Sequence, residues 1–352
     1  MTTYWIDRLF EQRRLPKEGY RDILNCDLPE AQKYLHAKAQ EVAKKHFGNH
    51  IYLRGLIEIS NYCRNNCYYC GIRASNREVV RYRLDEQEIL TCCREGYSLG
   101  LRTFVLQGGE DPALHDSTIE RVVESIRTEF PSCAITLSLG ERAKESYMRL
   151  KEAGANRYLL RHETYNAQHY SQLHPPSMSR DNRLRCLQEL KDIGFQVGSG
   201  IMVGSPHQSI DTILEDIQFI EHFSPHMIGI GPFISHHQTP FAKEPNGNVP
   251  LTLKLLSIFR LMHPEALIPS TTALASLDKD GHQKGILAGA NVIMPNLSPA
   301  TQRSKYAIYD NKVAFGNESA QGIKELQTKV SEIGYSISFA RGDSPLIKPN
   351  NN

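Results

Sequence analysis

Between residues 63 and 70 the chain reads CRNNCYYC, so Cys63, Cys67 and Cys70 stand as Cys-x3-Cys-x2-Cys. Gaps this short can aim three sulfurs at one small object. Such a set could form a disulfide with one thiol to spare, hold a zinc ion, hold an iron–sulfur cluster, or do no chemistry. The other five cysteines, Cys26, Cys92, Cys93, Cys133 and Cys186, are scattered. The opening MTTYWIDRLFEQRRL is polar and amphipathic, without the apolar core of a signal peptide. The expected compartment is therefore the reducing cytoplasm, where clustered cysteines serve metals more often than disulfides. A structural zinc site takes four protein ligands, yet no second Cys-x2-Cys exists, and Cys92 and Cys93 are neighbours that would point apart on a helix. A [4Fe–4S] cluster also usually takes four thiolates. Three would leave one iron open to a small molecule.

Two further strings could carry chemistry. GGED at 108–111 combines glycines that permit close backbone approach with Glu110, a carboxylate suited to an ammonium group. The same string is also an ordinary tight turn. Arg161 lies at the end of the apolar run RYLLRH. A guanidinium there fits a substrate carboxylate as a bidentate pair, or an internal ion pair.

The elements that must position these residues follow from periodicity. Residues 4 to 47 read as helices, with Ile6, Leu9 and Phe10 on one face. From His50 eight short apolar runs follow: 50–60, 102–107, 133–139, 157–162, 195–204, 227–233, 267–272 and 291–296. Helical stretches separate them, and the joints LGL (99–101), AGA (153–155), IGF (193–195) and AGA (288–290) place Gly where a helix would end in the left-handed conformation. Repeated αβ units with apolar strands predict a parallel sheet with helices outside. Eight runs predict a (β/α)8 TIM-type barrel, and the competing arrangement is a doubly wound open sheet. The polar strings CRNNCYYC, QGGEDP, LGE, RHET, VGSP, STTA and MPN each follow one run, which puts one sizeable site at the barrel mouth. The expected division is a helical extension over 1–48, the barrel over 49–310, and a C-terminal helix with a flexible tail over 311–352. Lys and Arg number 41 against 39 Asp and Glu, which gives no footprint for nucleic acid. No run of 18 apolar residues exists to span a membrane.

The cysteine loop after the first run, with Tyr69 just before its last Cys, resembles the signature of the radical S-adenosylmethionine (SAM) superfamily. The resemblance implies one [4Fe–4S] cluster on Cys63, Cys67 and Cys70 whose open iron chelates S-adenosyl-L-methionine. Reductive cleavage of that cofactor yields methionine and a 5′-deoxyadenosyl radical, with the electron supplied by a low-potential donor. It further implies that Gly108, Gly109 and Glu110 receive the methionyl amino group. Glu163 and Arg183 would hold the ribose hydroxyls and carboxylate, Ser138 would be a further contact, and Tyr69 would flank the adenine.

Within the superfamily, the strings IEISNYCRNNCYYCGIR, VLQGGEDP, AGANRYLLRHET and GANVIMPN resemble the subgroup of biotin synthase, methylornithine synthase and the HydE family of [FeFe]-hydrogenase maturases, and LLRHET is most similar to the last. The resemblance spans roughly residues 5 to 335. Thr136 and Gly198 stand where biotin synthase carries cysteines for a second internal cluster, so sulfur insertion is not implied. What is implied is maturation of the hydrogenase H-cluster. The radical would act on a cysteine-bound iron–carbonyl–cyanide precursor, with the maturases HydG and HydF as partners. Arg161, Thr136, Thr271 and Thr272 would anchor that substrate, and Met294, Pro295 and Tyr306 would line its cavity. The alternative is an amino-acid-rearranging radical enzyme similar to methylornithine synthase. Many HydE proteins hold a second cluster on three C-terminal cysteines. This chain has no Cys after Cys186, so no second cluster is expected.

Overall fold

The computed structural model describes residues 1–313 and 316–347. The first six apolar runs each supply a strand: Gly55–Ser60, Thr103–Gly108, Ala134–Ser138, Arg157–Leu159, Gln196–Ser199 and Met227–Ile228. They pair in that order, every pair parallel. Met227 then bridges Leu267, and Pro269 bridges Val292. Val292–Ile293 pairs with His50–Leu53, and Asn296 bridges Leu56. The ring closes on itself, so the architecture is the barrel and not the open sheet.

Several runs are more broken than their composition suggests. Run 267–272 contributes bridges but no strand, because Pro269 has no N–H to donate to a ladder. Run 195–204 divides at Gly200, where a Cβ would stand 1.9 Å from the Gly229 carbonyl oxygen. Its second half, Met202–Val203, pairs with Gly231–Pro232 and extends the rim above the mouth. The four Gly joints behave as their spacing predicts. Gly100, Gly154, Gly194 and Gly289 all have φ between 87° and 112°, which lets each helix stop and the next strand begin at once. Where the cysteine loop ends, Asp85 and Glu88 close a capping box that starts helix Glu86–Ser98.

Helices Thr2–Gln12, Lys17–Asn25 and Pro29–Phe47 pack Ile6, Leu9, Ile23, Leu35 and Val42 against Leu255, Ile258 and Phe259 of helix Val249–Met262. After the barrel the chain forms helix Ile323–Glu332 and an eleventh strand, Ser336–Ser338, parallel to His50–Leu53. The tail, expected to be flexible, is docked over residues 341–344. The fully buried Arg157 donates to the Arg341 and Gly342 carbonyls (both 3.0 Å) and to Asp343 (2.7 Å), and Gln196 also donates to Asp343 (2.8 Å). The physical reason is that a buried guanidinium must be neutralised and bonded, and the tail supplies what the strands lack. The rest of that expectation, residues 348–352, lies outside the described residues.

Candidate active site

Cys63, Cys67 and Cys70 sit half-buried on the loop that leaves Gly55–Ser60. The loop is held by what surrounds it. Arg81 donates to the carbonyls of Asn61, Ile72, Arg73 and Asn76. Gly109 lies so close that a Cβ there would meet the Tyr62 oxygen at 2.2 Å and Cys63 Cβ at 2.7 Å. That close approach is why the second Gly of GGED faces this loop. Burial pushes all three thiols up, Cys70 to about 12, and charge on the neighbouring thiols adds to the rise in Cys67 and Cys70. As bare groups they stay protonated. Only a strong cationic centre makes three thiolates favourable here, with release of protons on binding. A structural zinc site would need a fourth protein ligand, and the loop supplies three sulfurs. The donor set fits a cubane better than a single zinc ion.

Beside Cys70 opens a cavity of about 180 Å³ lined by Tyr69, Arg161, Glu163, Met202, Phe233, Thr271 and Tyr309, among others. Its polar groups are unusually idle. Arg161 Nη2 and Glu163 Oε2 attract each other at 2.9 Å, but among the described residues neither atom makes a further hydrogen bond, and Arg161 Nε is buried without a partner. Thr136 Oγ1, deeper on its strand, is a third buried orphan. Glu163 adopts φ +64°, costly for a residue with a Cβ, and is pinned there by its amide bond to the Gly200 carbonyl (3.1 Å). Under-satisfied polar atoms and a strained backbone around one cavity mark a place shaped for a ligand rather than for stability.

The other expected residues divide. Tyr69 donates its hydroxyl to His174 Nε2 (3.1 Å), since His174 Nδ1 serves the Tyr170 carbonyl (3.0 Å). Burial and the nearby Arg183 drop His174 to about 3, so it stays neutral. Arg183, buried, bonds Glu141 (2.5 Å) and the Arg161 carbonyl (2.7 Å) rather than Glu163; burial opposes its charge and the Glu141 carboxylate sustains it. The Glu110 carboxylate is already engaged by Arg64 (3.0 Å) and the Glu141 amide (3.0 Å). Gly108 ends its strand opposite Ser60, and Ser138 ends the next one. Thr272 is tied to Glu318 (2.7 Å). Met294 packs with Met227, Leu267 and Val292, Pro295 accepts from the Leu56 amide, and the buried Tyr306 accepts from Gln107 at 3.5 Å. These last four do not line the cavity. Sequence reading missed Glu141, His174, Met202 and Tyr309. Glu141 carried a signal, as the acid of LGE at a strand end; the other three carried none.

Another group of potential ligands, His236, His237 and Asp310, lies close to Gly71, behind the cysteine loop. It reads as a clamp. The two rings stack nearly parallel, 15° apart, and both face Asp310. His236 Nδ1 accepts from the Gln238 amide, which leaves the ring proton on Nε2.

Comparison with known proteins agrees with this geometry. The model of the radical SAM superfamily matches residues 57–220. The chain is 41% identical to the [FeFe] hydrogenase maturase subunit HydE of Thermotoga maritima, over 89% of each chain. Among solved structures, methylornithine synthase (PylB) superposes with a TM-score of 0.85 at 27% identity, covering 95% of this chain and 97% of that one. The hydrogenase maturase HydG superposes at 0.80 with 20% identity, covering 96% and 76%, which speaks to the fold alone. A cysteine triad on the barrel rim and this identity across nearly the whole length give one conclusion: the chain belongs to the radical SAM superfamily and, within it, to the HydE family of [FeFe]-hydrogenase maturases.

Proposed function

We propose that this radical SAM enzyme matures the [FeFe]-hydrogenase H-cluster, acting on a cysteine-bound iron–carbonyl–cyanide precursor of the diiron subcluster. The observation that carries the reading is the pairing of Cys70 and its two companion thiols with a cavity whose arginine and carboxylate have only each other as partners among the described residues. The family implies a [4Fe–4S] cluster and SAM. When bound, they supply a 5′-deoxyadenosyl radical by one-electron reductive cleavage. This chain's residues then bind, orient and shield. Cys63, Cys67 and Cys70 hold the cluster. Tyr69, fixed by His174, forms one wall for the adenine. Gly108, Gly109, Glu110, Ser138, Glu163 and Arg183 hold the rest of the cofactor. Arg161 presents a guanidinium to a substrate carboxylate, with Thr271 on the cavity wall, and Thr136, Thr272, Met294, Pro295 and Tyr306 form the surrounding shell. The apolar lining of Met202, Phe233 and Ile234 excludes water from the reacting carbon.

A single cluster is proposed, since the cysteines end at Cys186. HydG and HydF are the proposed partners and the cytoplasm the proposed compartment. No helix among the described residues is long and apolar enough to cross a membrane. The domain division proposed is the helical extension over 1–48, the barrel over 49–310 and the C-terminal segment over 311–352.

Anaerobic reconstitution tests the reading. The protein should take up about four irons and release 5′-deoxyadenosine from SAM on reduction. Cys67→Ala should lose both colour and cleavage, and cleavage that survives would refute the cluster assignment. Activation of an apo-hydrogenase in a defined mixture of the maturases separates hydrogenase maturation from amino-acid rearrangement, for which ornithine-type products would be found instead.

A further inference from the structure

The segment from Cys63 to Arg83 carries five arginines (Arg64, Arg73, Arg77, Arg81, Arg83) and one acid, Glu78. Two of the five are spent on structure: Arg81 clamps loop carbonyls, and Arg83 forks onto Asp111 (2.6 and 2.9 Å). The other three face outward or stand at the edge. The Arg64 side chain is 58% exposed even while paired to Glu110, Arg77 is exposed, and half-buried Arg73 stands at the edge with its guanidinium near the Tyr68 ring.

What these arginines surround matters more than their number. The Arg73 amide donates to the Cys70 carbonyl (3.2 Å), the Ala74 amide to the Asn65 carbonyl (2.8 Å), and the Ser75 amide to Asn66 Oδ1 (2.8 Å). Ala74 and Ser75 are exposed. The outer wall of the cysteine loop is therefore one layer of small side chains, joined by hydrogen bonds to residues adjoining all three cysteines. Val80, 64% exposed, adds an apolar contact at its border. A thin neutral centre with a cationic rim, set against a redox centre, is complementary to a carrier whose own centre lies under an acidic surface.

Resting on the cluster assignment above, we propose that residues 64–66 and 73–80 form the docking surface for an acidic, low-potential electron-carrier protein. In the docked pair one electron leaves the carrier's reduced centre, which is oxidised by one unit, and enters the cluster on Cys63, Cys67 and Cys70, taking it from the 2+ to the 1+ state. No covalent bond forms or breaks in that step. The arginine rim raises the encounter rate and sets the orientation, and both effects weaken as salt shortens the reach of charge to about 8–10 Å.

The test uses the reconstituted full-length protein and a purified acidic [4Fe–4S] ferredoxin as the probe. Binding is titrated at low and raised ionic strength. Cluster reduction is followed by electron paramagnetic resonance, with reduced ferredoxin or dithionite as donor. Arg77→Glu and Ala74→Glu should each weaken binding and slow ferredoxin-driven reduction about tenfold at low salt, with the gap closing as salt rises. Dithionite, which needs no docking, should reduce wild type and variants alike. Lys33→Glu, on the exposed side of helix Pro29–Phe47, should bind as wild type does. Equal binding by wild type, Arg77→Glu and Ala74→Glu overturns the proposal, and so does an equal loss in Lys33→Glu. A wild-type preparation that dithionite cannot reduce would instead sink the cluster assignment, while the binding isotherm, which involves no electron transfer, still reads the surface.

Discussion

An arginine stands at each end of this barrel, fully buried at the floor and partly exposed at the mouth, and the two are treated in opposite ways. At the floor, Arg157 has a partner for every nitrogen: Gln196, Thr103, two tail carbonyls and Asp343. At the mouth, Arg161 Nη2 faces Glu163 at 2.9 Å, and Nε is buried with no partner among the described residues. What separates Arg157 from Arg161 is how fully each is bonded; the buried Arg183, also at the mouth, is bonded as a floor residue is. A buried polar group with its bonds made is structure, whereas one left unmade costs free energy that only a ligand or a function can repay. Arg54 is the floor's exception. Among the described residues it bonds the Met227 sulfur alone (3.1 Å), and burial first and the like charge of Arg157 second push its pKa down, with Asp343 opposing.

The comparison can be broken by exchanging the readouts. Arg157→Met should lower unfolding free energy by about 3–5 kcal/mol, because it strands Asp343 and two carbonyls. Cofactor cleavage by the protein that remains folded should be unchanged. Denaturant melts paired with 5′-deoxyadenosine assays check both halves, and a stable Arg157→Met protein would show that the docked tail contributes nothing. Arg161→Met should do the reverse. Substrate turnover should fall by about a hundredfold or more, in line with the 2–5 kcal/mol typical of truncating a buried charged partner, with melting little changed. Loss of fold in Arg161→Met without a specific kinetic defect would erase the distinction between the two ends.

The barrel was legible because its signals are local: a Gly at each αβ joint and a polar string after each run. The cysteine triad was legible because its three ligands lie within eight residues. What stayed hidden depends on contacts across the chain. Tyr309 reaches the cavity from the segment after the last strand, and His174 meets Tyr69 across a separation of 105 residues. The docking of the tail was hidden for the same reason. RGDS is polar and turn-rich by composition, and only the buried Arg157 on a distant strand gives it a place. Run 267–272 misled in the other direction, since its apolar composition resembles a strand while Pro269 denies it the ladder.

His174 sharpens the rule, since it sits at the mouth but is bonded on both sides like a floor residue. It should therefore register in stability. Its folded pKa of about 3 lies below the ordinary value near 6.5, with burial the first cause and Arg183 the second. The unfolded chain takes up this proton first as pH falls. The stabilisation is complete above about pH 6.5 and drains away towards pH 3, at about 1.4 kcal/mol per unit. Between pH 7 and pH 5 this group alone should cost the apoprotein about 2 kcal/mol. His174→Gln, which can still accept from Tyr69, should flatten that part of the pH dependence. His36 and His263, both lowered to about 4 by burial, will keep some slope in the variant. An unchanged slope in His174→Gln would mean that the histidine is hydrated and the mouth looser than its bonds indicate.

The finest version of the contrast lies in two adjacent residues. Thr271 lines the cavity and caps helix Thr272–Leu277 through a long bond to the Leu274 amide (3.4 Å). Thr272 turns away and gives its hydroxyl to Glu318, which also bonds His282. Valine replaces either threonine without changing shape much, so only the hydroxyl is removed. Thr272→Val should cost about 1.5–2 kcal/mol, since a buried carboxylate loses a hydrogen bond, and leave substrate affinity untouched. Thr271→Val should cost about 1 kcal/mol or less, as a weak cap allows, yet weaken substrate binding several-fold by removing a hydroxyl from the cavity wall. If both variants move affinity, the threonines act as one anchoring pair and satisfaction is not the dividing principle at this scale. If neither does, the substrate is held by Arg161 alone, and the cavity wall beside Gly231 shapes the ligand by contact rather than by hydrogen bonds.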